Sequence, residues 1–146
     1  MNCILAGLIA CQKNNYMHEA KGDVSLHKNQ SGLWGETFAA RYLRDQGCTI
    51  IAANVSNRYG EVDIIACDDE YIFFAEVKTR GENAIATPAE SVSYQKQRKI
   101  CGVAAAFLQK YKYDLQPRFD VIEVFFDENS KLKTINHIKN AFDSTL

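Results

Sequence analysis

Three charged side chains stand in strand-like runs where an ordinary sheet protein would not put them, Asp63, Glu76 and Lys78, and a further carboxylate, Glu36, stands in a helix-like run. In EVDIIAC (61–67), alternation with period two assigns Glu61, Asp63 and Ile65 to one face and Val62, Ile64 and Ala66 to the other. In YIFFAEVKTR (71–80) it groups Phe73, Ala75 and Val77, and sets Phe74, Glu76 and Lys78 on the opposite face. Glu76 and Lys78 are therefore side by side. Pairing of the two runs across Asp68-Asp69-Glu70 brings Asp63 close to them, opposite roughly Phe74 in a two-residue hairpin.

Two readings follow from that placement. On a half-exposed sheet these are solvated charges, with Lys78 neutralising Glu76. Both runs are otherwise strongly apolar, however, and the helical patterns before and after them can cover either sheet face. Charges in such a cleft need a partner, and a divalent metal is the usual one for convergent carboxylates. The chemistry this suits is phosphodiester hydrolysis. Oxygen ligands from Asp63 and Glu76 match Mg²⁺ or Mn²⁺, which polarises the phosphorus–oxygen bond and lowers the pKa of an attacking water. Lys78 beside the ion can hold that water or stabilise charge on the phosphoryl oxygens. Glu36 follows Gly35, and glycine inside a helix costs about 1 kcal/mol relative to alanine, a hint that the helix approaches something closely there. On its own, Glu36 reads as an exposed helix charge.

The elements that must position these groups are legible from period and punctuation. Residues 31–47, SGLWGETFAARYLRDQG, place Leu33, Trp34, Phe38, Tyr42 and Leu43 about one turn apart, an amphipathic helix with Ser31 as N-cap and Gly47 as stop. Strand-like runs at 48–55, 61–67 and 71–80 follow, separated by links so short that the neighbours must be antiparallel. Thr87-Pro88-Ala89-Glu90 combines a capping box with proline at the first helical position, predicting a second helix from there to about Tyr111. Its apolar face carries Ile100, Val103, Ala104, Phe107, Leu108 and Tyr111. Arg118–Phe126 is a further strand, and a long helix between strands favours a crossover that lays it parallel to a neighbour. The tail KLKTINHIKNAF predicts a short strand and a last helical turn. The fold class is α/β, in the order α-β-β-β-α-β, with a mixed sheet flanked by helices.

Composition bounds the rest. The chain has 146 residues, 47% hydrophobic and 24% charged, with a net charge of -1. That length suits one core, placed at 31–146, and no apolar stretch reaches the ~20 residues that span a bilayer. Residues 1–30 form a poorly defined N-terminal extension. Leu8-Ile9-Ala10-Cys11 has the form of a lipoprotein cleavage box, but no Lys or Arg precedes the apolar run, as a signal peptide requires. Five widely spaced cysteines, with no CxxC, argue against a zinc site or a disulfide framework and suit a cytoplasmic address, without a membrane partner. A nucleic-acid substrate must be met by a local patch, since no bulk positive field exists. Residues 78–112 supply one: seven Lys or Arg against two Glu, +5, including Arg80, Lys96, Arg98 and Lys99. Arg98 and Lys99 equally suit the solvated side of an amphipathic helix.

Asp63 followed by Glu76-Val77-Lys78 is the D…ExK form of the PD-(D/E)xK nuclease signature. Longer phrases are more specific: Gly35-Glu36 with Ala39-Ala40 and Tyr42-Leu43, Gly60–Ala66, Phe74–Arg80, Thr87–Val92, Lys96-Gln97 and Arg118–Val121. In that order, over about residues 31–143, they resemble the YraN family of small bacterial proteins. The resemblance implies a restriction-endonuclease-like fold similar to Holliday-junction resolvases. It further implies Glu36, Asp63 and Glu76 as metal-site carboxylates, the Val77 carbonyl as an added ligand and Lys78 as the catalytic lysine. Gln95 and Lys96, opening the second helix, would lie near the site. Where relatives carry an Arg two residues after the position of Asn54, this chain has Ser56, leaving Arg58 to meet phosphate in that loop. The expectation is a Mg²⁺- or Mn²⁺-dependent nuclease acting on branched or damaged DNA, with a homodimer as the state such resolvases commonly adopt. The competing expectation is a non-catalytic nucleic-acid-binding or scaffolding protein that keeps the fold.

Overall fold

A computed structural model describes residues 30–84 and 92–144. Their elements are α1 (Gln30–Asp45), β1 (Thr49–Asn57), β2 (Gly60–Cys67), β3 (Tyr71–Arg80), α2 (Tyr94–Lys110), β4 (Gln116–Phe126) and β5 (Leu132–Ile138). The strands form one sheet in sequence order, β1-β2-β3-β4-β5. Only β3 and β4 run parallel, as expected for strands joined through a helix, and the other neighbours are antiparallel. The α-β-β-β-α-β order expected of the chain is thus present, extended by the edge strand β5. No described helix is long and apolar enough to cross a membrane.

The sheet is packed on both faces. On one, Ala39 and Leu43 of α1 meet Ile64, Ala66, Phe73, Ala75, Ile122 and Val124. On the other, Ile100, Cys101, Val103 and Ala104 of α2 meet Ile65, Ile72, Phe74, Phe119 and Val121. Phe73 and Phe74, adjacent in sequence and both fully buried, serve opposite faces. Each such side chain contributes roughly 1.5–3 kcal/mol through burial. Cys48, Cys67 and Cys101 are present as thiols, the last two inside the core.

Four details differ from the sequence reading. Helix α1 already includes Gln30 and Ser31, so Ser31 is not its cap, and it ends at Asp45, shortly before the expected stop Gly47, whose φ of 85° turns the chain so that Cys48 N–H reaches Leu43 O. Helix α2 starts at Tyr94, after the proposed Thr87–Glu90 box, which lies outside the described residues. Its cap is Ser93, whose Oγ accepts from Lys96 N. Among the described residues, no last helical turn follows β5. Asn140 adopts φ 51°, donates its N–H to Asp120 Oδ1, and lets Ala141 N–H bond Phe119 O, so the tail folds back and stacks Phe142 on Phe119. The face assignment within β2 also changes. Ile64 and Ala66 face α1, but Val62 packs on the α2 side with Ile65 and Cys67. Alternation therefore breaks at Asp63. Across from it in β1, between the Ala53↔Ile64 and Val55↔Val62 pairs, Asn54 takes a left-handed φ of 52°.

Candidate functional site

Strands β2 and β3 pair from Cys67↔Ile72 to Ile64↔Ala75. The turn is centred one residue later than expected, on Asp69-Glu70: Asp68 N–H reaches Tyr71 O, and Asp68 Oδ1 accepts from both Glu70 N and Tyr71 N. Continuing that register puts Asp63 across from Glu76 rather than Phe74. At this point the ladder gives way to a side chain. Asp63 Oδ2 accepts the Val77 N–H at 2.7 Å, the bond a β2 carbonyl would otherwise make. A residue's N–H and C=O point to the same neighbour in an extended strand, so the Val77 carbonyl is turned toward this opening as well.

Glu76 is 5% exposed. Its Oε1 lies 3.2 Å from Lys78 Nζ, the neighbour expected on the same face, and its Oε2 lies 3.3 Å from Lys96 Nζ at the start of α2. Oε2 is buried without a hydrogen-bond partner, so the Lys96 contact is ionic and not directional. Lys96 Nζ also reaches Glu61 Oε1 at 3.5 Å. Burial alone would lower the pKa of Lys96, but Glu76, Glu61 and Asp63 outweigh it and hold the ammonium charged above its ordinary range. Asp63 shows the reverse balance. Its carboxyl is raised from 3.8 to about 6: burial is the largest cause and the charges of Glu76 and Glu36 add to it, against the Val77 N–H and Lys96, which pull it down.

Glu36 therefore belongs to the electrostatic neighbourhood of Asp63. The cause is Gly35: a Cβ there would collide with Thr79 Oγ1, so only glycine lets α1 lie this close to β3. The close approach inferred from Gly35 is real, and its partner is Thr79. Among the described residues, no three His, Cys, Asp or Glu side chains are grouped to hold a metal ion. Asp63, Glu76 and the Val77 carbonyl are the oxygen donors that this opening offers, with Glu36 at its margin.

The expected basic patch is divided. Arg58, at the β1–β2 turn, donates from Nη2 to the Tyr59 hydroxyl at 2.6 Å and lies over that ring. The turn rests on α2, with Tyr59 against Gly102 and Gly60 against the stem of Lys99. Arg58, Lys96 and Lys99 thus gather on one side. Gln95 and Arg98 are exposed on α2. Arg80 is turned inward instead, its Nε and Nη2 at 3.3 and 3.2 Å from Oε1 of Glu123, a fully buried acid that also accepts from Asn136 Nδ2.

A second polar cluster was missed by sequence reasoning. Asp120, fully buried, accepts two bonds from Arg118 at 2.9 Å, meets His137 Nε2 at 2.8 Å and accepts from Asn140 N. Burial pushes its carboxyl up, and the bonds from His137, Arg118 and Asn140 more than reverse this, leaving it below the ordinary range. Arg118 in turn lies over Tyr71 and Phe73. The available signal was two acids, Asp120 and Glu123, inside an otherwise apolar strand, since buried acids demand partners.

Comparison with known proteins agrees with the phrases quoted above. The sequence profile described as Uncharacterised protein family UPF0102 matches residues 35–124. A UPF0102 protein of Clostridioides difficile is 42% identical over 118 residues, covering 80% of this chain and all of the relative. One from Caldanaerobacter subterraneus is 40% identical over 119 residues, and one from Rhodococcus opacus is 39% identical over 117, each covering 80% of this chain and 98% of the relative. The matched span runs from the Gly35 contact through the Asp63–Glu76 opening to β4, and on that basis the chain belongs to UPF0102, the YraN-like family.

Proposed function

We propose that this chain is a divalent-metal-dependent nuclease that hydrolyses DNA phosphodiester bonds, with branched or damaged DNA as its preferred class of substrate. The observation that carries the reading is the opening between β2 and β3, where Asp63 replaces a ladder carbonyl and Glu76 keeps a buried oxygen without a hydrogen bond. A buried carboxylate costs free energy unless cations complete it, and here the Lys96 ammonium stands 3.3 Å from Oε2, in the place a divalent ion would take. The donors fit a hard ion. Asp63, Glu76 and the Val77 carbonyl would hold Mg²⁺ or Mn²⁺, and such ions keep several waters when the protein supplies few ligands. When bound, the ion supplies an activated water and a Lewis acid for the phosphoryl group.

The chain's own groups then have separable roles. The Val77 N–H fixes the Asp63 carboxylate by a bond from the rigid strand β3. Lys78, tied to Glu76 and partly exposed, is placed to donate to a phosphoryl oxygen or to the water. Arg58, Lys96 and Lys99, with Gln95 and Arg98 on the exposed side of α2, provide positive and polar groups for flanking phosphates. Arg80 is excluded from that role by its bond to Glu123. The test is cleavage of four-way junction, flap and duplex DNA in Mg²⁺ and Mn²⁺. Asp63→Ala and Glu76→Ala each are expected to reduce the rate by roughly 10²–10³-fold. Cleavage that survives both substitutions unchanged overturns the assignment.

A non-catalytic nucleic-acid-binding role is the second reading. One observation favours it: Glu76 already has two ammonium groups against it. It requires binding in EDTA whose salt dependence falls when Lys99 is removed, with no cleavage of any substrate.

A further inference from the structure

Two lysines contact Glu76, and they are held differently. Lys78 is on the same strand two residues away and approaches Oε1, so β3 itself fixes their separation. Lys96 comes from another element, the first turn of α2, and its long flexible stem crosses to Oε2, the oxygen that lacks a hydrogen bond. The same ammonium lies 3.5 Å from Glu61, whose side chain is 68% exposed. One cation thus bridges an interior acid and a solvent-facing acid.

We propose that Lys96 is a tethered counter-ion which stands at Glu76 Oε2 in the metal-free protein and is displaced onto Glu61 when a divalent ion enters. The inference rests on reading Asp63 and Glu76 as the ion's ligands. The physical argument is one of substitution. A buried carboxylate left unpaired is costly, so the metal-free chain needs a positive charge at Oε2. An ammonium is monovalent, and its stem lets it leave without moving α2. Glu61 offers it a partner on the solvent side, so displacement does not strand a bare charge. The ion exchanges one positive charge for two between Asp63 and Glu76. Lys96 is then a positioning residue that sets how readily the site loads, and it makes metal affinity a property of α2 as well as of the two strands.

The experiment is calorimetric titration of the full chain with Mn²⁺ alone at pH 8, with no DNA present. Lys96→Met is expected to bind Mn²⁺ about tenfold more tightly than wild type, because a contact-distance positive charge no longer competes. Glu61→Gln is expected to bind about threefold more weakly, having lost the place to which the ammonium withdraws. Lys110→Met removes the same charge from the far end of α2 and is expected to change affinity by less than about twofold. Lys96→Gln serves in place of Lys96→Met should thermal melting show that variant unfolded. Equal affinities for wild type and the Lys96 variant, or equal gains from the Lys96 and Lys110 variants, overturn the displacement while leaving the ligand assignment intact. Absence of Mn²⁺ binding in both wild type and the Lys96 variant overturns the ligand assignment and, with it, this proposal.

Discussion

Asp63 and Asp120 are both sheet aspartates drawn out of water, and the protein treats them in opposite ways. Asp120 receives Arg118, His137 and the Asn140 N–H, and its carboxyl is driven below the ordinary range. Asp63 receives one backbone N–H, has the acids Glu76 and Glu36 for neighbours, and is driven up to about 6. Burial acts the same way on each; the partners differ. A carboxylate that is fully satisfied fastens β4 to β5 and to the tail. The other, with a single backbone N–H and like charges beside it, stays raised at a cost to stability. Burial raises the carboxyl of both acids, and the partners around each decide the sign of the shift that remains.

The largest test of this contrast is Asp120→Ala. It leaves the Arg118 guanidinium buried without its partner and is expected to cost about 3–5 kcal/mol, read from the denaturant midpoint. A loss below about 1 kcal/mol would mean that the cluster is not structural.

Asp63→Asn should do the reverse, and in a pH-dependent way. The folded carboxyl titrates near 6 against an ordinary 3.8, so between those values the folded chain binds the proton more tightly than the unfolded one. Wild-type stability therefore declines as pH rises through that window, by about 2 kcal/mol after allowance for partial exposure. Asparagine removes that decline. Thermal melts should find Asp63→Asn equal to wild type at pH 4 and more stable at pH 8, and a gap that does not vary with pH would refute the strained-acid reading. For Asp120 the sign is opposite: its stabilisation is present above the ordinary carboxylate range and is lost as pH falls below it.

The finest test concerns Glu36. Glu36→Gln should shift the Asp63 midpoint downward, followed by carboxyl NMR, and leave that of Asp120 where it was. An unmoved Asp63 would remove Glu36 from the site.

How much of this was readable in the sequence depended on distance along the chain. The bounds of β3 were legible because Tyr71-Ile72-Phe73-Phe74 open it directly after Asp68-Asp69-Glu70 and Gly81 follows its end, and the Glu76–Lys78 pair followed from its period of two. Gly35 gave away the close approach of α1. The start of α2 was misplaced because the Thr87–Glu90 pattern is a stronger local signal than the Ser93 cap that forms. Asp63's register was off by two residues, since Asp68 builds a turn through its side chain and the break at Asp63 cancels strict alternation. His137 meets the Arg118–Asp120 pair, and Arg80 and Asn136 meet Glu123, across strands that only the fold brings together. No local period announces such partners.

The unequal edges of β3 have a mechanical consequence. Along its β4 side the strand is laddered from Tyr71↔Gln116 to Arg80↔Phe125, whereas on the β2 side pairing stops at Ile64↔Ala75. The half that bears Glu76 and Lys78 is clamped to a continuous rail behind and left unzipped in front. On the proposed reading, ions and phosphate would exchange at that edge while the carboxylate stays registered to the interior, as a tool stays true in a vice while the workpiece is changed.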